Sequence, residues 1–100
     1  MQHELKTDPM VFEHSFNGYK PWEIRFNDRD FQTGDDLLLR ETQFSGAEME
    51  QGQPLIYTGR EIDASVVLIP VVGPAYGLAD GWVIMTLSIN KRRMPQIVEV

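Results

Sequence analysis

The stretch Gly18-Tyr19-Lys20-Pro21-Trp22-Glu23-Ile24-Arg25-Phe26 joins a turn to a regular alternation of apolar and charged residues. This alternation predicts a β-strand over residues 21–26, because successive side chains of a strand point to opposite faces. We expect one face of the strand to anchor a core through Trp22, Ile24 and Phe26. We expect the other face to present Glu23 and Arg25 to a cleft, where a carboxylate and a guanidinium can bind a planar base or a phosphate.

The residues around this strand predict several further elements of secondary structure. Residues 3–7 indicate an opening strand. A short amphipathic helix is expected to begin at Asp8-Pro9 and end at Asn17-Gly18, since these residues are typical of helix caps and Phe12 and Phe16 share one helix face. Further strands are predicted at residues 36–41, where the leucine run indicates burial on both faces, then at 55–57, 60–69 and 82–89.

Two segments between these strands read as loops. Residues 43–54 are polar and contain glycine and proline, so we expect an exposed, mobile loop or a wide hairpin end. Residues 70–81 are rich in proline and glycine and predict a rigid, turn-rich loop. Five to six short strands with one early short helix favour an α+β fold, a small mixed β-barrel. We assign residues 1–90 to a single domain and residues 91–100, which include Lys91-Arg92-Arg93, to a C-terminal tail.

Composition excludes several classes of protein. One hundred residues suffice for a single core, and the absence of cysteine removes disulfides, thiolate metal sites and a cysteine nucleophile. The net charge of −6 argues against a protein that coats nucleic acid by bulk electrostatics. No apolar run reaches the roughly 20 residues that cross a bilayer. We therefore expect a cytoplasmic protein, monomeric, without a membrane partner and without a cofactor.

Basic residues in turn-like contexts are the candidates for binding phosphate. We expect the barrel to bring several cations to one mouth, where phosphate oxygens would be their natural ligand: Lys6, Lys20, Arg25, Arg29 and Arg60. Each of them could instead be a solvated side chain or a partner of a neighbouring carboxylate. Tyr57 and Trp82 could stack a base, although an aromatic residue that opens a strand also packs commonly against a core.

Motifs for metal and hydrolase chemistry are missing from the sequence. His3 and His14 are the only histidines, and the His3-Glu4 pair lacks the following histidine of a zinc protease. The serines are not framed by a Gly-x-Ser-x-Gly elbow, and no glycine-rich loop precedes Lys and Ser/Thr. We therefore predict no metal site, no serine hydrolase and no P-loop NTPase.

Three stretches together resemble the ASCH domains of the PUA-like superfamily. They are Gly18-x-Lys20-x-x-Glu23-x-Arg25, the following Asn27-Asp28-Arg29-Asp30-Phe31 with Thr33-Gly34-Asp35, and Tyr57-Thr58-Gly59-Arg60-Glu61. The opening His3-Glu4-Leu5-Lys6 is similar to a small bacterial and bacteriophage branch of single-domain proteins. The resemblance covers nearly the whole chain and is loose at its C-terminal end. It implies a PUA-like β-barrel with a cleft beside the early helix, and a role in binding RNA or modified nucleotides.

Some ASCH relatives are amidohydrolases that deacetylate acetylcytidine. They use a lysine of the Gly-x-Lys string, a threonine three residues later and a distant glutamate. Lys20 matches the lysine, but Glu23 stands in place of the threonine. A carboxylate cannot replace that hydroxyl in the same acyl-transfer step, so the resemblance does not carry this activity over. Lys20 and Glu23 could still act as a catalytic base and acid pair that activates water.

Three functions are therefore open at the level of sequence. The leading one is binding of nucleic acid, with RNA favoured, or of a modified nucleotide, in which the cations hold phosphate and Glu23 reads a base edge. The second is an amidohydrolase acting on acylated nucleosides through Lys20 and Glu23. The third is a protein-interaction module, in which the acidic segment 35–63 engages a basic protein partner.

Overall fold

The structure is a computed structural model and describes residues 1–18, 20–69, 77 and 79–95. The described residues form five strands and two short helices: β1 (Gln2–Thr7), α1 (Pro9–Phe16), β2 (Trp22–Phe26), β3 (Asp36–Thr42), α2 (Gly46–Glu50), β4 (Tyr57–Leu68) and β5 (Trp82–Arg93). This arrangement confirms a small α+β fold with a mixed sheet of five strands. It adds one helix, α2, to the single early helix that the sequence predicts.

The sheet has the strand order β1-β3-β4-β5-β2. Strand β1 runs parallel to β3, and the other neighbouring strands are antiparallel. Register shifts interrupt the β4–β5 pairing at Asp63/Ala64 and at Val66/Leu68. Such irregularities increase local twist and bend the long strands. The sheet curls into a half-barrel whose two edges, β1 and β2, come close enough for Arg25 of β2 to donate to the main chain of β1.

The inner face of the curled sheet carries the hydrophobic core. Alternate residues of the central strands point inward, including Leu37 and Leu39 of β3 and Ile62 of β4. Phe12 of α1 is fully buried against them. Full burial of one such side chain contributes about 1.5–3 kcal/mol. The prediction that β3 is buried on both faces holds only in part, because Leu38 on the outer face is half-buried.

Helix α1 follows the predicted caps, with one difference. Pro9 opens the helix and Asn17-Gly18 ends it, with Gly18 at a φ of +81° that favours glycine. The Asp8 side chain, however, does not cap α1. Its Oδ1 accepts a hydrogen bond of 3.0 Å from the backbone N–H of Gly46, so it links the start of α1 to the start of α2.

Residues 43–54 form the wide hairpin end that was one of the two predictions, since they connect the antiparallel strands β3 and β4, but they also contain a helix, α2, that the sequence analysis does not predict. Ser45 Oγ accepts a hydrogen bond from the backbone N–H of Glu48, and the Glu48 carboxylate accepts one from the backbone N–H of Ser45. This reciprocal pair is a capping box, which satisfies donors at the start of a helix. The Ser-x-x-Glu spacing was present in the sequence and is the signal that predicts this helix.

The C-terminal boundary also differs from the prediction. Strand β5 continues through Arg93, so residues 91–93 belong to the sheet and not to a tail. Lys91, Arg92 and Arg93 pair in register with residues of β4. Most of the turn-rich loop predicted at 70–81 lies outside the described residues. Neither helix in the described part of the chain has the length or apolar character needed to cross a membrane.

Candidate functional site

A groove of about 560 Å³ lies where the two edges of the half-barrel face each other. Strand β1 forms one wall and β2 the other, and the edges are bridged by arginine side chains. Arg25 Nη2 donates to the backbone carbonyl of Lys6 at 3.0 Å, and Arg29 Nη1 donates to that of Glu4. These two edge carbonyls of β1 are thus satisfied by side chains and not by a further strand.

Glu23 lies at the centre of a polar network in this groove. It is only 2% exposed, on the inner face of β2 opposite Met85. Lys20 Nζ donates to Glu23 Oε1 at 3.1 Å, and Arg25 Nε donates to Glu23 Oε2 at 3.0 Å. Each oxygen of the carboxylate therefore has one cationic partner. An ionised carboxylate offers about four acceptor positions, so Glu23 has capacity to accept from a ligand as well.

Cations outnumber acids along the groove, although the chain as a whole is acidic. Four of the predicted phosphate-binding residues border it: Lys6, Lys20, Arg25 and Arg29. Three acids, Asp8, Glu23 and Asp28, also line it. The lining therefore has a formal charge of +1 within a chain of −6. This local reversal of sign favours an anionic ligand confined to the groove.

The outward face of β2 does not anchor the core as predicted. The alternation itself is confirmed, but Trp22, Ile24 and Phe26 are 39%, 42% and 52% exposed, whereas Glu23 is buried. The reason is the position of β2 at the edge of a curled sheet. Its inner face closes on the core and the groove, and its outer face has no layer packed on it among the described residues. Trp82 of β5 is also 43% exposed and borders the groove, as its proposed stacking role requires.

Arg60 and Tyr57 do not join this groove, and the predicted convergence is wrong for these two residues. Arg60 Nε and Nη2 donate to the two oxygens of Glu41 at 3.0 and 2.7 Å, and Nη2 also donates to Glu13 at 2.6 Å. The Tyr57 ring stacks on the guanidinium of Arg40, with 3.6 Å between the ring centroid and Cζ of Arg40. Both residues belong to β4, which is separated from β2 by β5.

The Glu41–Arg60 cluster has a clear electrostatic signature. Burial by itself raises the pKa of Glu41, but hydrogen bonds from Arg60 and Thr58 outweigh it and leave that pKa below its ordinary value. The same contacts, led by the hydrogen bond to Glu41, raise the pKa of Arg60. The hydrogen bond from Arg60 likewise lowers the pKa of Glu13. These groups stay ionised and paired at neutral pH, as a structural ion pair requires.

The acids of segment 35–63 are largely paired within the protein. Asp35 accepts from His3 Nε2 at 2.8 Å, and this bond lowers the pKa of Asp35. Asp63 is held by Arg93, whose hydrogen bonds lower the pKa of Asp63. Glu61 is paired with Arg93 as well. Because Glu61 and Asp63 are paired with Arg93 and Glu41 with Arg60, the segment offers fewer free charges to a basic partner than the sequence predicts.

Comparison with protein-family models matches residues 2–87 to the family described as Domain of unknown function (DUF3850). The chain belongs to this family. Comparison with curated proteins finds no match. Every residue that lines the groove, from Leu5 to Trp82, lies inside the matched DUF3850 segment. Arg92 and Arg93, which tie β5 to α1 and β4, lie beyond it.

The groove also contains residues that the sequence did not single out. Thr7 and Asp8, at the junction of β1 and α1, line it beside Arg25, and Thr7 Oγ1 accepts from Arg25 Nη2 at 3.4 Å. Phe31 closes it from the turn after β2. A parallel β1–β3 pair places β1 at the free edge opposite β2, and recognising that pairing from sequence would have identified this junction.

Proposed function

We propose that this DUF3850 chain is a nucleic-acid- or nucleotide-binding module, with RNA as the favoured ligand, and that the groove between β1 and β2 is its binding site. One observation carries the proposal. Four cations and a buried, hydrogen-bonded carboxylate meet in a single recess of about 560 Å³. That volume lies in the usual range of small-molecule sites, roughly 300–1,000 Å³.

The groove offers separate contacts for phosphate and for base. Lys6 is exposed at one wall, and Lys20 reaches in from the other. Ammonium groups of this kind neutralise phosphates without reading sequence. Glu23 has a fixed orientation, because Lys20 and Arg25 each hold one of its oxygens. A carboxylate in a fixed orientation can accept from the exocyclic amine of a base such as cytosine, and thereby distinguish bases.

The finer identity of the fold belongs to the same proposal. We infer that the half-barrel is a PUA-like barrel of the ASCH type. Three features support this inference: the helix between β1 and β2, the mixed sheet, and the groove beside the Gly18-x-Lys20-x-x-Glu23-x-Arg25 string. The resemblance implies a cleft beside the early helix, which supports the choice of this groove as the ligand site.

The test is binding of a labelled single-stranded RNA of about eight nucleotides, measured by fluorescence anisotropy at about 50 and 200 mM salt. Lys6→Ala and Lys20→Met are the informative variants, and Lys91→Ala is the matched control because Lys91 is exposed and outside the groove. Loss of one phosphate contact should weaken binding and lower the slope of log K against log salt by about 0.7. Wild-type affinity in both groove variants, or no binding by the wild type, would overturn the proposal.

An amidohydrolase acting on acylated nucleosides is the second candidate. The observation in its favour is the 3.1 Å contact between Lys20 Nζ and Glu23 Oε1 in an open groove, where the pair can hold a water. Incubation with a panel of acylated nucleosides should release acid, and both Lys20→Met and Glu23→Gln should abolish release. No turnover by the wild type across the panel removes this candidate and leaves the binding proposal intact.

A further inference from the structure

An exposed row of large apolar side chains runs along the outer face of β2 and the start of β5. We call this set the aromatic row, because three of its four members are aromatic: Trp22, Phe26 and Trp82, together with Ile24. All four are between 39% and 52% exposed. Single exposed apolar residues are ordinary on a protein surface. A contiguous group of exposed apolar residues beside a polar site, however, is typical of a surface that binds a ligand or another macromolecule.

The register of the sheet holds the aromatic row in a fixed arrangement. Phe26 is paired with Trp82 across the two strands, and their ring centroids are 6.0 Å apart with the rings inclined by 65°. A Cβ at Gly81 would lie 2.6 Å from Cε2 of Phe26, so the Phe26 ring packs directly on the Gly81 backbone. Rings fixed in this way lose little conformational entropy when a ligand binds.

Cations flank the aromatic row. Lys20 Nζ lies 5.9 Å from the centroid of the Trp22 ring. At the other end, Phe26 and Trp82 border the groove together with Arg29. Trp22 and Phe26 are four residues apart on one strand, roughly 13 Å at about 3.3 Å per residue. The aromatic row therefore has a cation at each end and is longer than one base.

We infer that the ligand is an unpaired single strand of at least two nucleotides, whose bases stack on the aromatic row while its phosphates contact the groove cations. This inference rests on the proposed function and specifies its ligand class. Aromatic platforms beside a basic channel are the combination by which proteins bind single strands, because each base has a face that can stack. A duplex keeps its bases stacked inside and cannot use the row.

The tryptophans provide a direct readout, since the chain has only two and both belong to the aromatic row. Trp22→Phe leaves Trp82 as the only indole. Titration of this variant with a single-stranded oligouridylate of about eight nucleotides should quench its fluorescence in parallel with the anisotropy change. Uridine monophosphate and an RNA duplex of the same length should bind more weakly than the single strand.

Substitution separates stacking from phosphate contact. Trp82→Ala should weaken binding of the oligouridylate by about tenfold, a loss typical of one stacked base. Leu55→Ala is the control, since Leu55 is 48% exposed and outside the row and groove. If the single strand binds with Lys20-dependent affinity, but Trp82→Ala behaves like Leu55→Ala and the indole is not quenched, this inference is wrong and the proposed function stands.

If the aromatic row binds a second copy of the chain or an RNA duplex, the measurements differ from those expected for a single strand. If wild-type protein sediments as a dimer that Trp82→Ala dissociates, the row is an interface between copies and the inference is overturned. Equal or tighter binding of the duplex overturns it as well. If neither single strand, duplex nor uridine monophosphate binds, the proposed function itself fails.

Discussion

Two buried glutamates on the inner face of the sheet have similar partners and different surroundings. Glu23 on β2 is 2% exposed, and Glu41 on β3 is 5% exposed. Each accepts hydrogen bonds from an arginine and from one further side chain. The two sites are therefore an internal comparison of the same chemistry placed at the edge of the sheet and at its interior.

The Glu41 site is closed by the protein itself. Arg60 donates to both carboxylate oxygens, and its guanidinium also lies 5.2 and 5.0 Å from the ring centroids of Phe12 and Phe16. Thr58 donates a further hydrogen bond of 2.6 Å to Glu41. With two oxygens shared among three donors and rings packed against the cation, the cluster has little capacity left for a ligand.

The Glu23 site is open on the side of the groove. Lys20 and Arg25 each donate once to the carboxylate. Each also donates to a backbone carbonyl, and Arg25 donates to Thr7 as well. The difference follows from topology, because β3 has neighbours on both sides and β2 has one. An ion pair inside the sheet stabilises the fold, whereas the pair at the free edge borders a groove through Lys20 and Arg25, although Glu23 itself is as buried as Glu41.

The largest expected effect is on stability. Arg60→Ala leaves buried Glu41 without its cation, and we expect the free energy of unfolding to fall by about 3 kcal/mol, at the lower end for a broken buried pair because Arg60 is partly exposed. Arg25→Ala should cost only about 1 kcal/mol, since Glu23 keeps Lys20 and faces the groove. Urea unfolding of both variants, with unchanged m-values, measures the two losses. Equal losses would contradict the distinction between closed and open sites.

A matched pair of threonines gives a smaller effect at the same two sites. Thr58→Val removes a 2.6 Å hydrogen bond to the Glu41 carboxylate and should cost about 1.5 kcal/mol, as bonds to charged groups do. Thr7→Val removes only a 3.4 Å contact with Arg25 and should cost less than about 0.5 kcal/mol. Thermal and urea unfolding compare the two. A larger loss at Thr7 would show that the edge is held as tightly as the interior.

The sequence predicts the strand that carries Glu23 but not the surroundings of that strand. Alternation fixes which residues share a face, so Glu23 and Arg25 were correctly placed together on the cleft side. It does not say which face is covered, and Trp22, Ile24 and Phe26, which the pattern predicts in the core, are exposed. Burial depends on which strands pair, and strand order is a long-range property.

The same limit explains the error at Arg60. Its neighbours in the sequence suggested a cation in a turn, free to contact phosphate. In the structure it meets Glu41 and Glu13, 19 and 47 residues away. Local motifs, by contrast, are informative where their geometry is local: Pro9 and Asn17-Gly18 mark the two ends of α1, and the Ser45-x-x-Glu48 spacing marks the start of α2.

The stability that the closed Glu41 site contributes should depend on pH. A carboxyl whose pKa is lower in the folded chain contributes stability above its ordinary pKa, and that contribution disappears as pH falls through the folded value. The pKa values of Glu41 and Glu13 are lowered mainly through Arg60, against the burial of Glu41. The difference in unfolding free energy between wild type and Arg60→Ala should therefore narrow as pH drops below about 4.3.

Urea unfolding at several pH values between neutrality and pH 3 measures this narrowing, with Arg92→Ala as the control. Arg92 is exposed and donates to the backbone carbonyl of Phe16, so its removal should shift stability equally at every pH. The wild-type protein should itself lose some stability in acid, whether it is compared with Arg60→Ala or with Arg92→Ala, since the pKa values of Asp35 and Asp63 are also lowered. A difference between wild type and Arg60→Ala that stays constant with pH would show that Arg60 does not hold these carboxyls ionised.

The smallest expected effect is on anion binding, and it tests the open site alone. Glu23→Gln removes the charge that neutralises Lys20 and Arg25, so the groove becomes more positive. Affinity for inorganic triphosphate, a ligand with phosphate but no base, should rise about threefold, in keeping with the modest energy of partly solvated charges. Glu41→Gln removes the same charge from the closed site and should leave triphosphate affinity unchanged. Isothermal titration at low salt compares the variants, and a decrease at Glu23 or an equal increase at Glu41 would mean that triphosphate does not bind at the cations around Glu23.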